Sequence, residues 1–119
     1  MNATIATTKS RGAVPSDASL VAAAKSGDAE AFKLLVERHR PIVLFSAMPL
    51  TDTHEDAEDV VQQCFQKAFV HLKQFQGRSS FSTWLIRIAR NEALMLRRNE
   101  RRRRIYQWVN RASARRAHC

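Results

Sequence analysis

Three glycines, three prolines, two cysteines and one tyrosine are all that the 119 residues hold of these four types. So few glycines and prolines, set among many Ala, Leu, Arg, Glu and Gln, exclude a turn-rich β architecture and favour an all-α fold. Two cysteines cannot build a disulfide framework: Cys64 falls on an apolar helical stripe and Cys119 is the last residue. A reducing cytoplasm fits that usage. No apolar run approaches the roughly 20 residues that span a bilayer, the longest being Ile42 to Met48. The first fifteen residues carry no continuous apolar stretch behind a basic start, so a secretory signal is not expected. A chain of this length supports one small domain with a modest core.

Acid is the scarcest commodity at the end of the chain. Residues 1–86 hold nine Lys and Arg against nine Asp and Glu, whereas residues 87–119 hold eleven Arg against two Glu, so the whole net charge of +9 lies in the last 33 residues. Because every late cation is Arg, whose planar fork of donors matches phosphate oxygens, a polyphosphate partner is indicated, nucleic acid first. A run such as Arg101 to Arg104 alone would fit a solvated tail. The segment before it, Phe81 to Arg98, is different because it has helical periodicity. At about 100° per residue, Trp84, Leu85, Ile88, Ala89, Met95 and Leu96 share one side with Glu92. Arg87, Arg90, Asn91, Leu94, Arg97, Arg98 and Arg101 share the other, giving one face for a core and one for phosphates. A basic amphipathic helix can also lie on anionic lipid.

Earlier in the chain, residues 1–15 lack periodicity and read as a disordered lead-in, closed by the cap Ser16-Asp17. A short helix from about Ala18 to Lys25 ends at Ser26-Gly27-Asp28. The next, Ala29 to about Met48, buries Phe32, Leu35, Val36, Val43 and Leu44 and bends at Pro41; Pro49 ends it. Thr51, Asp52 or Thr53 caps a third helix whose acidic first turns suit the helix dipole. Its apolar stripe is Ala57, Val60, Val61, Cys64, Phe65, Ala68 and Leu72, its polar face Glu55, Asp59, Gln62 and Gln66, and it runs out near Phe75. Gln76 to Ser80 then forms a loop whose serines suit capping a fourth helix.

Catalytic patterns are missing. His54-Glu55 has no second His four residues on, and no Gly-rich phosphate loop or nucleophile motif occurs. Cys64 and His71 share a face but stand about 10 Å apart along a helix, too far to share a metal. Neither an enzyme nor a cofactor is expected, and no small-molecule substrate.

The strings Glu55-Asp-Ala-Glu-Asp-Val-Val-Gln-Gln-Cys-Phe and Phe75-Gln-Gly-Arg-Ser-Ser-Phe-Ser-Thr-Trp-Leu-Ile-Arg-Ile-Ala-Arg-Asn-Glu-Ala strongly resemble the second region of bacterial RNA polymerase sigma factors of the extracytoplasmic-function (ECF) type. The resemblance runs from about Asp28 to Arg104. It implies a compact bundle of about four helices in residues 16–104, followed by a basic tail or truncated linker in residues 105–119. It implies docking of the third helix on the β′ clamp coiled coil of RNA polymerase core through Asp59, Gln62 and Gln63, with Gln63 standing where the family commonly has Glu. It implies capture of a flipped base of the minus-ten promoter element, on the non-template strand, by Arg78, Ser79, Ser80 and Phe81. Phe81 and Trp84 are the aromatics for that base: for Phe81 this role and that of an anchor of the fourth helix stand equal at this point, whereas Trp84 is read first as an anchor of that helix and second as an aromatic for the base. Asn91 matches a DNA-facing position of the family and is a bidentate reader of a base edge, while Arg87, Arg90, Arg97 and Arg98 grip phosphates.

Two departures accompany the resemblance. The helix-turn-helix domain that normally follows does not occur, which implies a region-two-only form, and Pro49 stands where the family continues a helix. Three readings follow: a transcription-initiation subunit, a non-initiating module that occupies the polymerase clamp or an anti-sigma factor, and a sequence-blind basic helix.

Overall fold

The computed structural model describes residues 14–117. Their backbone forms four α-helices: α1 Asp17–Lys25, α2 Ala29–Ala47, α3 His54–Val70 and α4 Phe81–Ala117. No strand occurs among the described residues, in line with the all-α fold that the composition favours. Residues 1–13 of the expected lead-in, and Cys119, lie outside them.

Each helix starts on a short polar side chain that accepts otherwise unpartnered amides. Ser16 Oγ accepts from the Ser19 amide at 3.0 Å, Asp28 Oδ1 from those of Glu30 and Ala31 at 3.1 and 3.2 Å, and Ser80 Oγ from that of Thr83 at 3.1 Å. Of the three candidates before α3, Thr53 is the cap, its Oγ1 accepting from the Asp56 amide at 3.0 Å. Thr51 instead turns its hydroxyl back to the carbonyls of Ala47 and Met48. The turn between α1 and α2 depends on Gly27, whose φ of +101° lets the amides of Gly27 and Asp28 reach the carbonyls of Ala24 and Ala23, both at 3.0 Å.

One boundary falls within a residue of the expected Met48, and one falls several residues short of expectation. The helix through Pro41 stops at Ala47 and tightens into a 3-10 turn, Met48–Leu50, that accommodates Pro49. The third helix stops at Val70 rather than near Phe75, and the intervening residues form the 3-10 turn Leu72–Gln74. In both, the chain winds more tightly just past the helix end.

The stripe predicted for α3 is buried in full, from Ala57 to Leu72. Opposite it, α4 buries Phe81, Leu85, Ala89 and Ala93, every fourth residue, and the two alanines let the helices approach closely. Cys64 sits between them and donates its thiol to the Leu85 carbonyl at 3.3 Å. Burial, reinforced by the negative charge of Glu92, pushes that thiol up to about 12, so it stays protonated at neutral pH. Met95 does not join this face. It is 45% exposed, and Ala93 takes the core position instead, because the buried stripe follows a four-residue step that passes Met95 by.

Beyond Leu96 α4 leaves the bundle. It continues unbroken through the segment expected as tail or linker to Ala117, and no residue from Arg101 to Arg115 is buried. The molecule is therefore 76 Å long and only 23 Å across. No helix of the described residues is long and apolar enough to cross a membrane.

Candidate functional site

Three surfaces converge on the two helices the sequence singles out. The first lies between α2 and α3. Phe32, Val36, Val61, Phe65, Phe69 and Val70 line an open apolar groove of about 620 Å³ whose rim carries Arg40, Glu58, Asp59, Gln62 and Gln66. Phe32 and Phe69 meet edge to face, with ring centroids 5.1 Å apart, yet Phe69 remains 60% exposed. Arg40 and Glu58 pair across the groove. Asp59 and Gln62 stand together on its edge, both exposed. Gln63 is turned away from them into a crevice of about 190 Å³ between α3 and α4, shared with Glu92, Met95 and Asn99; Asp59 reaches both places.

The second surface is the loop before α4. Gln76, Gly77, Ser79 and Ser80 form one wall of a cavity of about 430 Å³ floored by Phe75 and Phe81. The opposite wall is α1, through Asp17, Ala18, Val21, Ala22 and Lys25. Lys25 fixes the loop by donating its ammonium to the Phe75 carbonyl, 50 residues on, with Nζ 6.0 Å from the Phe75 ring centre. Nothing in the local pattern of α1 signals this wall, because the contact exists only after the chain folds back. Ser80 has already committed its hydroxyl to the α4 cap, while Arg78 points into solvent.

Phe81 is only 3% exposed, and its ring packs against His39, Phe75 and Trp84 at centroid distances of 5.5, 5.5 and 5.6 Å. Its ring is thus part of the core and only its edge reaches the cavity. Trp84, half-buried 5.0 Å from Phe75, likewise anchors the helix.

At the same rim Asp17 binds Arg38 at 2.9 Å and lies 2.8 Å from Nε2 of the buried His39. That histidine contact has the distance of an ion pair, and Nε2 makes no hydrogen bond of good geometry. Partial burial works against the Asp17 charge, but Arg38 and His39 outweigh it and hold the carboxyl below its ordinary value. A carboxylate lowered on folding stabilises the fold above its unfolded value, near 4, and that contribution is lost as pH falls through the lower folded value. The urea midpoint of the wild type should therefore exceed that of Asp17→Asn at pH 7, and the two should converge as pH drops below 4.

The third surface is α4 itself. Among the described residues, the 3.8 Å contact of Arg104 with Glu100 is the only carboxylate pairing made by any α4 arginine from Arg87 to Arg115. Unpaired guanidinium groups on a rigid helix keep their donors for a partner. The structure divides the predicted readers. Asn91 and Arg98 line a groove of about 650 Å³ with His71, Gln74, Trp84 and Met95, beneath which Lys67 pairs with Glu92 to tie α3 to α4. Arg97 lies on the opposite flank beside Asp52 and Asp56, whereas Arg87 and Arg90 point outward between the two. The Lys67–Glu92 tie is a positioning feature the periodicity alone does not reveal; Glu92 on a core-facing stripe is its one signal. No group of three metal-holding side chains occurs among the described residues.

Comparison with known proteins gives one consistent answer. The family model for sigma-70 region 2 matches residues 35–103. The ECF RNA polymerase sigma-E factors of Haemophilus influenzae and Escherichia coli are 42% and 44% identical to the chain over 77 residues, and the RNA polymerase sigma-H factor of Pseudomonas aeruginosa is 40% identical over 77. Those 77 residues are 65% of this chain and 40% of each relative. A solved structure of an engineered region 2 of sigmaE in complex with GTAAAA superposes with a TM-score of 0.70 at 38% identity, covering 75% of this chain and 93% of that one.

Proposed function

The chain belongs to the sigma-70 region 2 family, and from that premise we propose that it binds RNA polymerase core and the minus-ten element of promoter DNA to direct transcription initiation. Two opposed faces on one small bundle support this reading: an apolar groove rimmed by Asp59 and Gln62, and a helix whose arginines have kept their donors. The groove between α2 and α3 has the character of a protein interface, an apolar floor with a charged rim. A helix of the polymerase clamp would lie in it, with Phe69 and Val70 covered and Asp59 at the edge setting register and on-rate. Gln63, turned toward α4, would meet the partner only at the margin. The same groove is where an anti-sigma factor would compete.

On the other face, the cavity between the loop 76–80 and α1 is of a size to hold a single base. Ser79 and the loop backbone would supply donors to the base edge, and Phe75 with the edge of Phe81 a floor. Asn91, on the neighbouring groove, would read a base, while Arg87, Arg90 and Arg98 fix the strand through phosphates. None of these roles requires bond chemistry, so the protein acts by binding and is not an enzyme.

Fluorescence anisotropy of the labelled chain against RNA polymerase core is the test, with Asp59→Arg as its pair. Reversing an exposed rim charge leaves the fold intact, so a loss of at least tenfold in affinity is expected for the variant. Equal binding by both, or none by either at moderate salt, would overturn the polymerase partnership and leave the sequence-blind basic helix.

A further inference from the structure

The outer face of α4 does not end where the bundle does. Eighteen residues are five ideal turns, about 27 Å along the axis, so positions 18 apart share an azimuth. Arg87, Arg90, Asn91 and Leu94 recur in this way as Ile105, Trp108, Val109 and Ala112. The projecting half of the helix thus carries an apolar stripe at i, i+3, i+4 and i+7 on the strand-facing side, with Arg101 ahead of it and Arg104 and Arg111 on its flank. Trp108 is 67% exposed there. From this continuity we propose that the projecting helix is a second single-stranded nucleic-acid subsite in which Trp108 stacks on a base while Arg101 and Arg111, neither paired with a carboxylate, hold the adjoining phosphates. The proposal rests on the reading of α4 as the strand-binding helix and extends it beyond the bundle.

Charge decides the occupant. A second copy of the chain on this stripe would bring two rows of arginine together, which repels. An apolar protein surface would leave those guanidinium groups without anions. A nucleic-acid strand satisfies both halves of the stripe, because its bases stack on an aromatic ring while its phosphates accept from arginine. Lipid headgroups offer phosphate too, but the apolar stripe is only two turns long and Arg101 and Arg115 interrupt its azimuth at both ends, so little area would enter a membrane.

Tyr106 supplies an internal control. It is as exposed as Trp108, at 68%, but sits two residues away, on the far side of the helix. Trp108→Ala and Tyr106→Ala should both leave the fold intact, since alanine is the better helix former and neither ring is buried. In anisotropy titrations of the full chain with a labelled 24-mer of thymidylate, Trp108→Ala should weaken binding about tenfold, in line with loss of one stacked base. Trp108→Phe should recover most of it and Tyr106→Ala should match the wild type. Equal losses from both alanine variants, or no loss from Trp108→Ala, would overturn the proposal. So would retained thymidylate binding by Trp108→Ala together with lost binding to phosphatidylserine vesicles, which would assign the stripe to lipid. An Arg87, Arg90, Arg98 triple alanine variant separates the two levels: if it loses binding while Trp108→Ala does not, the strand-binding helix stands and the second subsite falls. If neither loses binding, both fall.

Discussion

Leu85→Ala is expected to cost about 2–5 kcal/mol of folding stability, a large part of what a domain this size possesses. Leu85 has no exposed surface, and its backbone carbonyl receives the Cys64 thiol where α3 and α4 meet. Its neighbours along the buried stripe, Ala89 and Ala93, are already small. The lost volume therefore cannot be refilled by a nearby side chain, and a cavity remains between two helices held at a short distance. Urea denaturation followed by circular dichroism should show a lower midpoint with an unchanged slope. Leu94→Ala, on the outer side of the same helix where the side chain is 45% exposed, should change the stability by well under about 1 kcal/mol. Equal behaviour of the two variants would mean that α4 does not pack through the face described here. Because the same helix carries Asn91 and the arginines opposite Leu85, strand binding by Leu85→Ala should weaken only in proportion to the fraction unfolded.

The architecture was readable from the chain because α3 and α4 each carry a strict stripe. Ala57 to Leu72 repeats at helical spacing without an interruption, and every member is buried. Met95 fails the same test for a physical reason: a wheel places a residue by angle alone, while burial also depends on where the facing helix lies, and the α3 side of α4 is narrow enough to be filled by Leu85, Ala89 and Ala93. Composition marks Gln76 to Ser80 as a loop and periodicity puts Asn91 on the arginine face, but the roles given to them rest on family resemblance alone. What no local pattern could supply is contact between distant segments. The α1 wall of the cavity beside the loop, the Lys25 link to Phe75 and the placing of Arg97 beside Asp52 and Asp56 exist only once four helices are assembled. The helix beyond Arg104 belongs in the same class, since its residues have no neighbours to enforce helicity and only their propensity argues for it.

Combined replacement of Arg87, Arg90 and Arg98 by alanine should flatten the salt dependence of DNA binding more than any other change on α4. Each phosphate neutralised on a single strand contributes about 0.7 to the slope of log affinity against log salt, so three contacts remove about two from it. The gap between wild type and variant should then shrink by about an order of magnitude between 50 and 200 mM salt. Asn91→Ala should behave in the opposite way. It removes no charge, so the slope should be unaltered, while discrimination between adenine and another base at one position falls by about 1–3 kcal/mol, the worth of a bidentate base contact. The two variants thus separate grip from reading on one helix. A triple variant with the wild-type slope would show that these arginines face solvent without meeting phosphate. A change of slope in Asn91→Ala would show that its groove positions the strand as a whole and does not read a base. The geometry favours the separation, because Arg87 and Arg90 project outward as free cations whereas Asn91, uncharged, is set in a groove beside Trp84.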